Sequence, residues 1–227
     1  MKMAFPLSIL TAAFTAAGLF LAGAADASQA RPVLVELFTS EGCPSCPPAD
    51  ALLGQIAKQP GVVALAWHVD YMDSPGRKDH YSIHSADERQ IDYSERFKLG
   101  MVYTPQLVVD GSSETIGSDA GAAARLIQAA AVRPPRGPEL DYSSRPDGTG
   151  SVSLGSGAGA GTVWLVSYDP AGTTPGAAQV VRKATRLGTW HGKPLDLALP
   201  KKAASAEVVF VQPDGPGPML ATLALDR

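Results

Sequence analysis

An α/β fold followed by a small antiparallel β-rich domain is predicted by three features of the 227-residue sequence. Cys43 and Cys46, the two cysteines of the chain, stand as Cys-Pro-Ser-Cys between an apolar run and a helix-forming run. A later apolar run opens on Thr104-Pro105. After Pro138 the composition shifts to short apolar runs separated by Gly- and Pro-rich turns. A lone Cys-x-x-Cys is a moderate signal. At a strand-to-helix junction, with a later strand opening on Thr-Pro, it points to a dithiol/disulfide site.

The N-terminus reads as an address. Lys2 precedes an uncharged, Ala-rich run from Leu7 to Leu21, and small residues follow in Ala22-Gly-Ala-Ala-Asp-Ala27. This is the pattern of a secretory signal peptide over residues 1–27, cleaved after Ala24 or Ala27. The apolar core of about 15 residues is short for a membrane span. No cysteine follows it to carry a lipid anchor. An exported chain meets no thiol-reducing pool, so a lone cysteine pair tends to be oxidised. The formal charge of −3 survives cleavage, because Lys2 and Asp26 leave together. Nothing in it suggests nucleic-acid binding or attachment to anionic lipid once the signal is removed. Oligomeric state is not encoded in any recognisable pattern.

The remaining elements follow in order. Val33–Phe38 is a buried strand interrupted by one acid, Glu36. Thr39–Pro48 is turn chemistry, and Ala49–Lys58 is a helix with Leu52, Leu53 and Ile56 on one face, stopped by Pro60-Gly61. Val62–Val69 is a second continuous strand, completing a βαβ unit with parallel strands. Asp70–Tyr81 is a polar loop. Ser85-Ala-Asp-Glu88 resembles a capping box opening a helix that carries Ile91, Phe97 and Leu99 and ends at Gly100. Pro105 opens a strand whose Asp110-Gly111 signals a hairpin into Glu114–Ile116. Ala120–Val132 is an Ala-rich helix. This β-α-β-α-β-β-α order, with the Cys pair after the first strand and Thr-Pro opening the third, is that of a thioredoxin-like fold with a helical insertion over residues 70–99.

The thioredoxin-like domain is expected over residues 31–134 and the β-rich, sandwich-like one over 138–227. The second has strands at Val152–Leu154, Val163–Tyr168, Gln179–Arg182, Leu195–Leu199, Glu207–Gln212 and Met219–Leu225. Gly155–Gly161 is a loop within it, and His191 a surface residue.

Thiol exchange needs one accessible sulfur of lowered pKa and a second within reach of a mixed disulfide. Cys43, toward solvent, is the expected nucleophile and Cys46 the resolving partner. A permanent structural bridge and metal ligation are the alternatives, although a four-residue loop constrains the unfolded chain little. Pro47-Pro48 bias Cys46 away from helical geometry and put the helix start at or after Pro48. Glu36 is either a buried acid relaying the Cys46 proton or an outward edge residue. Thr104-Pro105, with Pro105 cis or an ordinary trans strand opener, is expected to dock the partner. His68, Asp70, Asp73, His80 and His84 form either a metal-ligating collection or a solvated loop.

Leu34-Val-Glu-Leu-Phe-Thr-Ser-Glu-Gly-Cys-Pro-Ser-Cys-Pro-Pro-Ala-Asp50, His68-Val-Asp-Tyr71, Arg89-Gln90 and Val102-Tyr-Thr-Pro-Gln106 resemble a bacterial and plant domain-of-unknown-function family of secreted, thioredoxin-like proteins. The resemblance covers most of the mature chain and implies a thioredoxin-like fold with a Cys-x-x-Cys site, but no substrate. Thioredoxins proper differ in carrying Trp where Gly42 stands and in lacking the double proline.

The expected function is an exported, periplasmic or extracellular thiol–disulfide oxidoreductase acting on protein or small-molecule thiols. Cys43 attacks, Cys46 resolves, Thr104-Pro105 dock and Glu36 relays protons. No organic cofactor is implied, since no phosphate-binding glycine motif is present. Two alternatives stand beside it: a copper-handling module built on Cys43, Cys46 and His68, and a non-catalytic binding protein with a structural disulfide.

Overall fold

The computed structural model describes residue 1 and residues 31–147, 149–172, 176–215 and 217–225. Apart from Met1, the expected signal peptide lies outside the described residues. No helix among the described residues is long and apolar enough to cross a membrane.

β1 (Val33–Thr39) and β2 (Val62–His68) run parallel, in register from Val33↔Val62 to Thr39↔His68, with α1 (Pro47–Ile56) between them. Both strands read as unbroken apolar runs because layers cover both of their faces. α2 (His84–Phe97) follows the loop after β2. β3 (Gln106–Val109) pairs antiparallel with the other edge of β1, and β4 (Ser113–Ile116) pairs with β3. Asp110 and Gly111 join them at φ of 54° and 65°. That is the positive-φ pair a type I′ hairpin requires. α3 (Ala120–Ala131) is capped by Asp119, whose Oδ1 accepts from the Ala122 N–H at 2.9 Å.

The remainder is strand: β5 (Leu140–Ser144), β6 (Gly150–Leu154), β7 (Gly161–Ala171), β8 (Ala178–Trp190), β9 (Leu195–Leu199), β10 (Ala206–Pro213) and β11 (Ala221–Leu225). The fold is therefore mixed α/β and strand-rich. Its main sheet has eight strands in the order β11-β10-β7-β8-β2-β1-β3-β4, and β5-β6-β9 form a second, antiparallel sheet. The strands after residue 138 thus do not close on themselves. Four of them continue the first sheet, through a parallel pairing of Ala66 with Val180.

Two layers cover one face of this sheet. Val33, Val35, Leu37, Ala64, Ala66, Leu107 and Val109 pack under α1 and α3. Further along, Val163, Leu165, Val209 and Val211 pack against the small sheet through Val152, Leu154 and Leu199. The opposite face carries one core running across both halves. There Leu34, Phe38, Leu65 and Trp67 join Val166, Val181, Val208 and Phe210 beneath Ala86 and Tyr93 of α2. At about 25 cal/mol per Å² of apolar surface, this shared layer makes the two ends mutually stabilising.

Several element boundaries differ from expectation for local reasons. α2 begins at His84 and not at a Ser85 cap: Ile83 is the N-cap in extended geometry, its N–H bound to the His68 carbonyl at 3.1 Å. The Asp87 carboxylate turns instead to the Asp70 N–H at 2.9 Å. α2 stops at Lys98, whose φ of 57° lets the Leu99 N–H reach the Ser94 carbonyl at 2.9 Å. α1 begins at Pro47, earlier than expected, and Cys46 adopts helical φ/ψ of −77° and −34° despite preceding proline. The Cys46 carbonyl accepts from both Ala49 and Asp50, at 2.8 and 3.0 Å, which holds it there.

Candidate functional site

The C-terminal ends of β1 and β2 and the start of β3 meet the N-terminus of α1 at one end of the sheet. β1 leads into the turn Ser40–Cys46, closed by the Cys43 N–H on the Ser40 carbonyl (3.0 Å) and the Cys46 N–H on the Cys43 carbonyl (3.2 Å). Cys43 and Cys46 are joined by a disulfide. Cys46 is fully buried and Cys43 retains 4 % exposure, so the expected solvent-facing Cys43 is itself buried, with only a narrow edge toward the surface. Pro47 and Pro48 occupy the first two helical positions, removing two N–H groups that a helix N-terminus would otherwise leave unpaired.

Thr104-Pro105 arrives at the same place. The Phe38↔Gln106 pairing sets Pro105 level with Thr39, and the Thr104–Pro105 peptide bond is cis. Gly117, whose N–H donates to the Pro105 carbonyl at 2.9 Å, marks how closely these parts approach. A Cβ at Gly117 would lie 2.9 Å from Pro105 Cβ, 3.1 Å from Ala49 Cβ and 2.7 Å from Leu37 Cδ1. α2 holds the approach to this turn: Gln90 Nε2 donates to the Tyr103 carbonyl at 2.7 Å and to Gln106 Oε1 at 3.0 Å, and Gln90 Oε1 accepts from Tyr71 Oη at 3.0 Å.

Glu36 is not brought to the cysteines. It alternates with Leu34 and Phe38 onto the α2 face, away from α1. Fully buried, it receives Arg89 Nε at 2.5 Å and Nη2 at 3.0 Å, together with the Tyr93 hydroxyl. Arg89 also donates to Gln212 Oε1 at 3.1 Å and lies 5.1 Å from the ring centroids of Trp67, Tyr93 and Phe210. Burial works against the Arg89 charge, but the Glu36 carboxylate overrides it and holds the guanidinium above its ordinary value. This is a buried ion pair with both partners committed.

The acid beside the disulfide is Asp50. It follows Cys46 by four residues, one helical turn, which puts the two side chains on one face of α1. Thr39 Oγ1 donates to its Oδ1 at 2.7 Å. Burial pushes the Asp50 carboxyl above its usual range, against the Thr39 hydrogen bond and the nearby His68, with the Asp79 charge adding to the rise. Sequence reading missed Asp50 because it sits in a helix, where an acid in the first turn reads as ordinary capping. The available signal was its spacing from Cys46.

His68 ends β2 next to Thr39, its Nδ1 2.8 Å from Asp79 Oδ2, and both side chains are buried. Asp79 also accepts the N–H groups of Glu41 (2.7 Å) and Tyr81 (2.8 Å). Burial raises the Asp79 carboxyl, but His68 and these donors outweigh it and hold it below the usual range. Asp73 accepts from the Asp79 N–H and Ser82 Oγ, both at 3.0 Å, and His80 Nδ1 lies 2.7 Å from Glu41 Oε2. The 70–82 loop is thereby fastened to the cysteine turn, and Gly42 sits under it: a Cβ there would come within 3.1 Å of the Met72 carbonyl oxygen.

The potential metal ligands separate into different groups. Asp70, His84 and Asp87 each bring one ligand atom within 4.8 Å of the others. His68 does not join Cys43 and Cys46 in such a group. Burial, and then Asp70, push the Asp87 carboxyl up to about 6. His191 is exposed.

Fold and site define a mixed α/β protein with a vicinal cysteine pair at a strand-to-helix junction, an acid one turn below it and a proline-opened strand beside it. The chain belongs to the DUF1223 family, described as a protein of unknown function, which matches residues 34–212. It is similar to the crystal structure of a structural-genomics target from Agrobacterium tumefaciens, at 28% identity and a TM-score of 0.72, covering 88% of this chain and 96% of that one. No curated protein matches the sequence.

Proposed function

We propose that this chain is an exported thiol–disulfide oxidoreductase with a thioredoxin-like N-terminal part and the Cys43–Cys46 pair as its redox centre. The observation that carries the reading is the asymmetry of the pair. Cys43 keeps 4 % exposure at the rim while Cys46 is fully buried, and an acid of raised pKa lies one turn from Cys46. In the oxidising direction a substrate thiolate attacks Cys43 Sγ and breaks the Cys43–Cys46 bond. Cys46 leaves as a thiolate and takes its proton from the Asp50 carboxylic acid. A second substrate thiolate then attacks the substrate sulfur of the mixed disulfide and releases Cys43. The substrate dithiol loses two electrons and the protein disulfide gains them. The reducing direction is the reverse, with Asp50 as base for Cys46.

Asp50 thus takes the role that the sequence suggested for Glu36. The apolar run Leu7–Leu21 followed by small residues supports export, where a disulfide persists. Copper handling draws no support from the arrangement, since the cysteines are bonded to each other and the His68 ring is paired with Asp79. The test is the reduction potential of the pair, by thiol trapping in defined redox buffers. A value between about −120 and −270 mV is expected for a catalytic dithiol. A value well below about −300 mV marks a structural bridge and overturns the proposal in favour of a binding protein.

A further inference from the structure

Three large apolar side chains remain exposed along one route to Thr104-Pro105: Tyr71 at 42%, Ile91 at 49% and Met101 at 67%. Their positions are fixed. Tyr71 binds Gln90, the neighbour of Ile91 on α2, and Gln90 in turn holds the Tyr103 carbonyl. One turn on, Ser94 Oγ holds the Met101 carbonyl at 2.8 Å. Segment 101–104 is thereby laid along α2 with the Met101 side chain outward. A cleft of about 450 Å³ opens there, lined by Ile91, Ser94, Glu95, Lys98, Met101 and Val102. Outside the cleft, Tyr71 is tied to α2 through Gln90 and precedes Met72, which packs on Gly42 beside Cys43. The apolar strip therefore runs from the cleft to the rim of the disulfide.

The charge around it is net negative. Residues 39–50 and 70–104 carry nine carboxylates, of which Asp79 and Asp87 are buried, against five Lys and Arg, of which Arg89 is buried and committed to Glu36. His80 and His84 also face carboxylates, Glu41 and Asp70. Exposed apolar side chains gathered at a cleft mark a docking site, and an acidic border selects its partner by charge. Glutathione brings carboxylates of its own and little apolar surface, so this border repels it.

We infer that the strip from the Ile91–Met101 cleft to Tyr71 docks an extended polypeptide segment with an apolar and a basic residue near its cysteine, making the substrates proteins and not glutathione. The inference rests on the thiol–disulfide reading above. It narrows that reading to one substrate class.

With dithiothreitol supplying the electrons and its uncatalysed rate subtracted, the test compares three disulfides on the full chain: a Leu- and Lys-containing cystine peptide, the same peptide with Glu for Lys, and glutathione disulfide. Bis(2-hydroxyethyl) disulfide serves as a neutral, shapeless control. The Leu/Lys peptide is expected to exceed glutathione disulfide in kcat/KM by about tenfold or more, with the Glu peptide between them. The doubly substituted Ile91→Ser/Met101→Ser protein should lower the ratio of peptide to control turnover by about tenfold. Equal kcat/KM for peptide and glutathione disulfide, or an unchanged ratio in the double variant, overturns the inference. Calorimetric binding of the Leu/Lys peptide with Ser for its cysteines separates the two ideas. Binding weakened by the double variant, with no turnover of any disulfide, retains the docking surface and sinks the redox reading. Turnover of the control without peptide binding does the reverse.

Discussion

Asp50 lies one helical turn after Cys46 and donates its backbone N–H to the Cys46 carbonyl at 3.0 Å, while Thr39 Oγ1 holds its carboxyl at 2.7 Å. The resolving cysteine and a carboxyl of raised pKa are thus fixed to each other through the first turn of α1.

The Asp50→Asn protein should lose disulfide-exchange rate while gaining stability. Loss of a positioned proton-transfer group costs about 10²-fold or more at neutral pH. The deficit should shrink as pH approaches the Cys46 thiol's own ionisation. Because the folded-state pKa of Asp50 is raised, its stabilising contribution is present at acid pH and is lost as pH rises through that value. The variant's melting temperature should therefore exceed wild type at pH 7, with no gain at pH 3. Stopped-flow exchange rates against pH, with thermal melts at both values, check both halves. A rate deficit that persists undiminished at high pH would falsify the relay.

Glu36→Gln tests the opposite assignment. Removing the negative charge leaves the Arg89 guanidinium buried without a counter-ion, at a cost of about 3–5 kcal/mol. The urea midpoint should fall with little change in the denaturant slope. The folded protein should keep its pH–rate profile. An altered profile would return Glu36 to the site.

Asp87, with its carboxyl at about 6, carries a separate pH signature. A raised carboxyl pKa means stability that is present below the ordinary value of 3.8 and lost between there and about 6. Asp87→Asn should raise the melting temperature above pH 6 and leave it unchanged below pH 4. Melting curves across that interval decide the point.

Reducing the disulfide should cost the fold little. A four-residue loop removes only about 2 kcal/mol of unfolded-state entropy on the chain-entropy scale. Denaturation of the oxidised chain and of the Cys43→Ser/Cys46→Ser chain should differ by no more than that. A gap of about 5 kcal/mol would point to a stapling role.

Gly117→Ala should disturb both stability and exchange, because its Cβ would press on Pro105, Ala49 and Leu37 together. Overpacking of this kind costs about 1–3 kcal/mol. It also pushes the Pro105 turn away from α1. Chemical denaturation and exchange kinetics on the same preparation measure the two effects.

What the sequence revealed was local. β1, β2, the cysteine turn and the Asp110-Gly111 hairpin were legible because each announces itself within ten residues, by apolar continuity or positive-φ chemistry. Glu36 was read only in part, since its partner Arg89 lies 53 residues away and no spacing rule joins a strand to a distant helix. β8 was read as Gln179–Arg182 but runs from Ala178 to Trp190, because its polar second half resembles a loop until β7 pairs with it. β5 was missed for the same reason: Leu-Asp-Tyr-Ser-Ser gains strand character from β6. Ser85 looked like a helix cap because the His68 carbonyl, which positions Ile83, comes from another strand.

Arg89 touches Glu36 in β1 and Gln212 in β10, two strands of the eight-stranded sheet with β7, β8 and β2 between them. A chain cut after α3 would strip Val208 and Phe210 from Trp67 and leave that guanidinium half-clasped. The cysteine-bearing end is therefore not a portable cassette. Grafting, truncation or fragment crystallography would have to carry the strand-rich tail along.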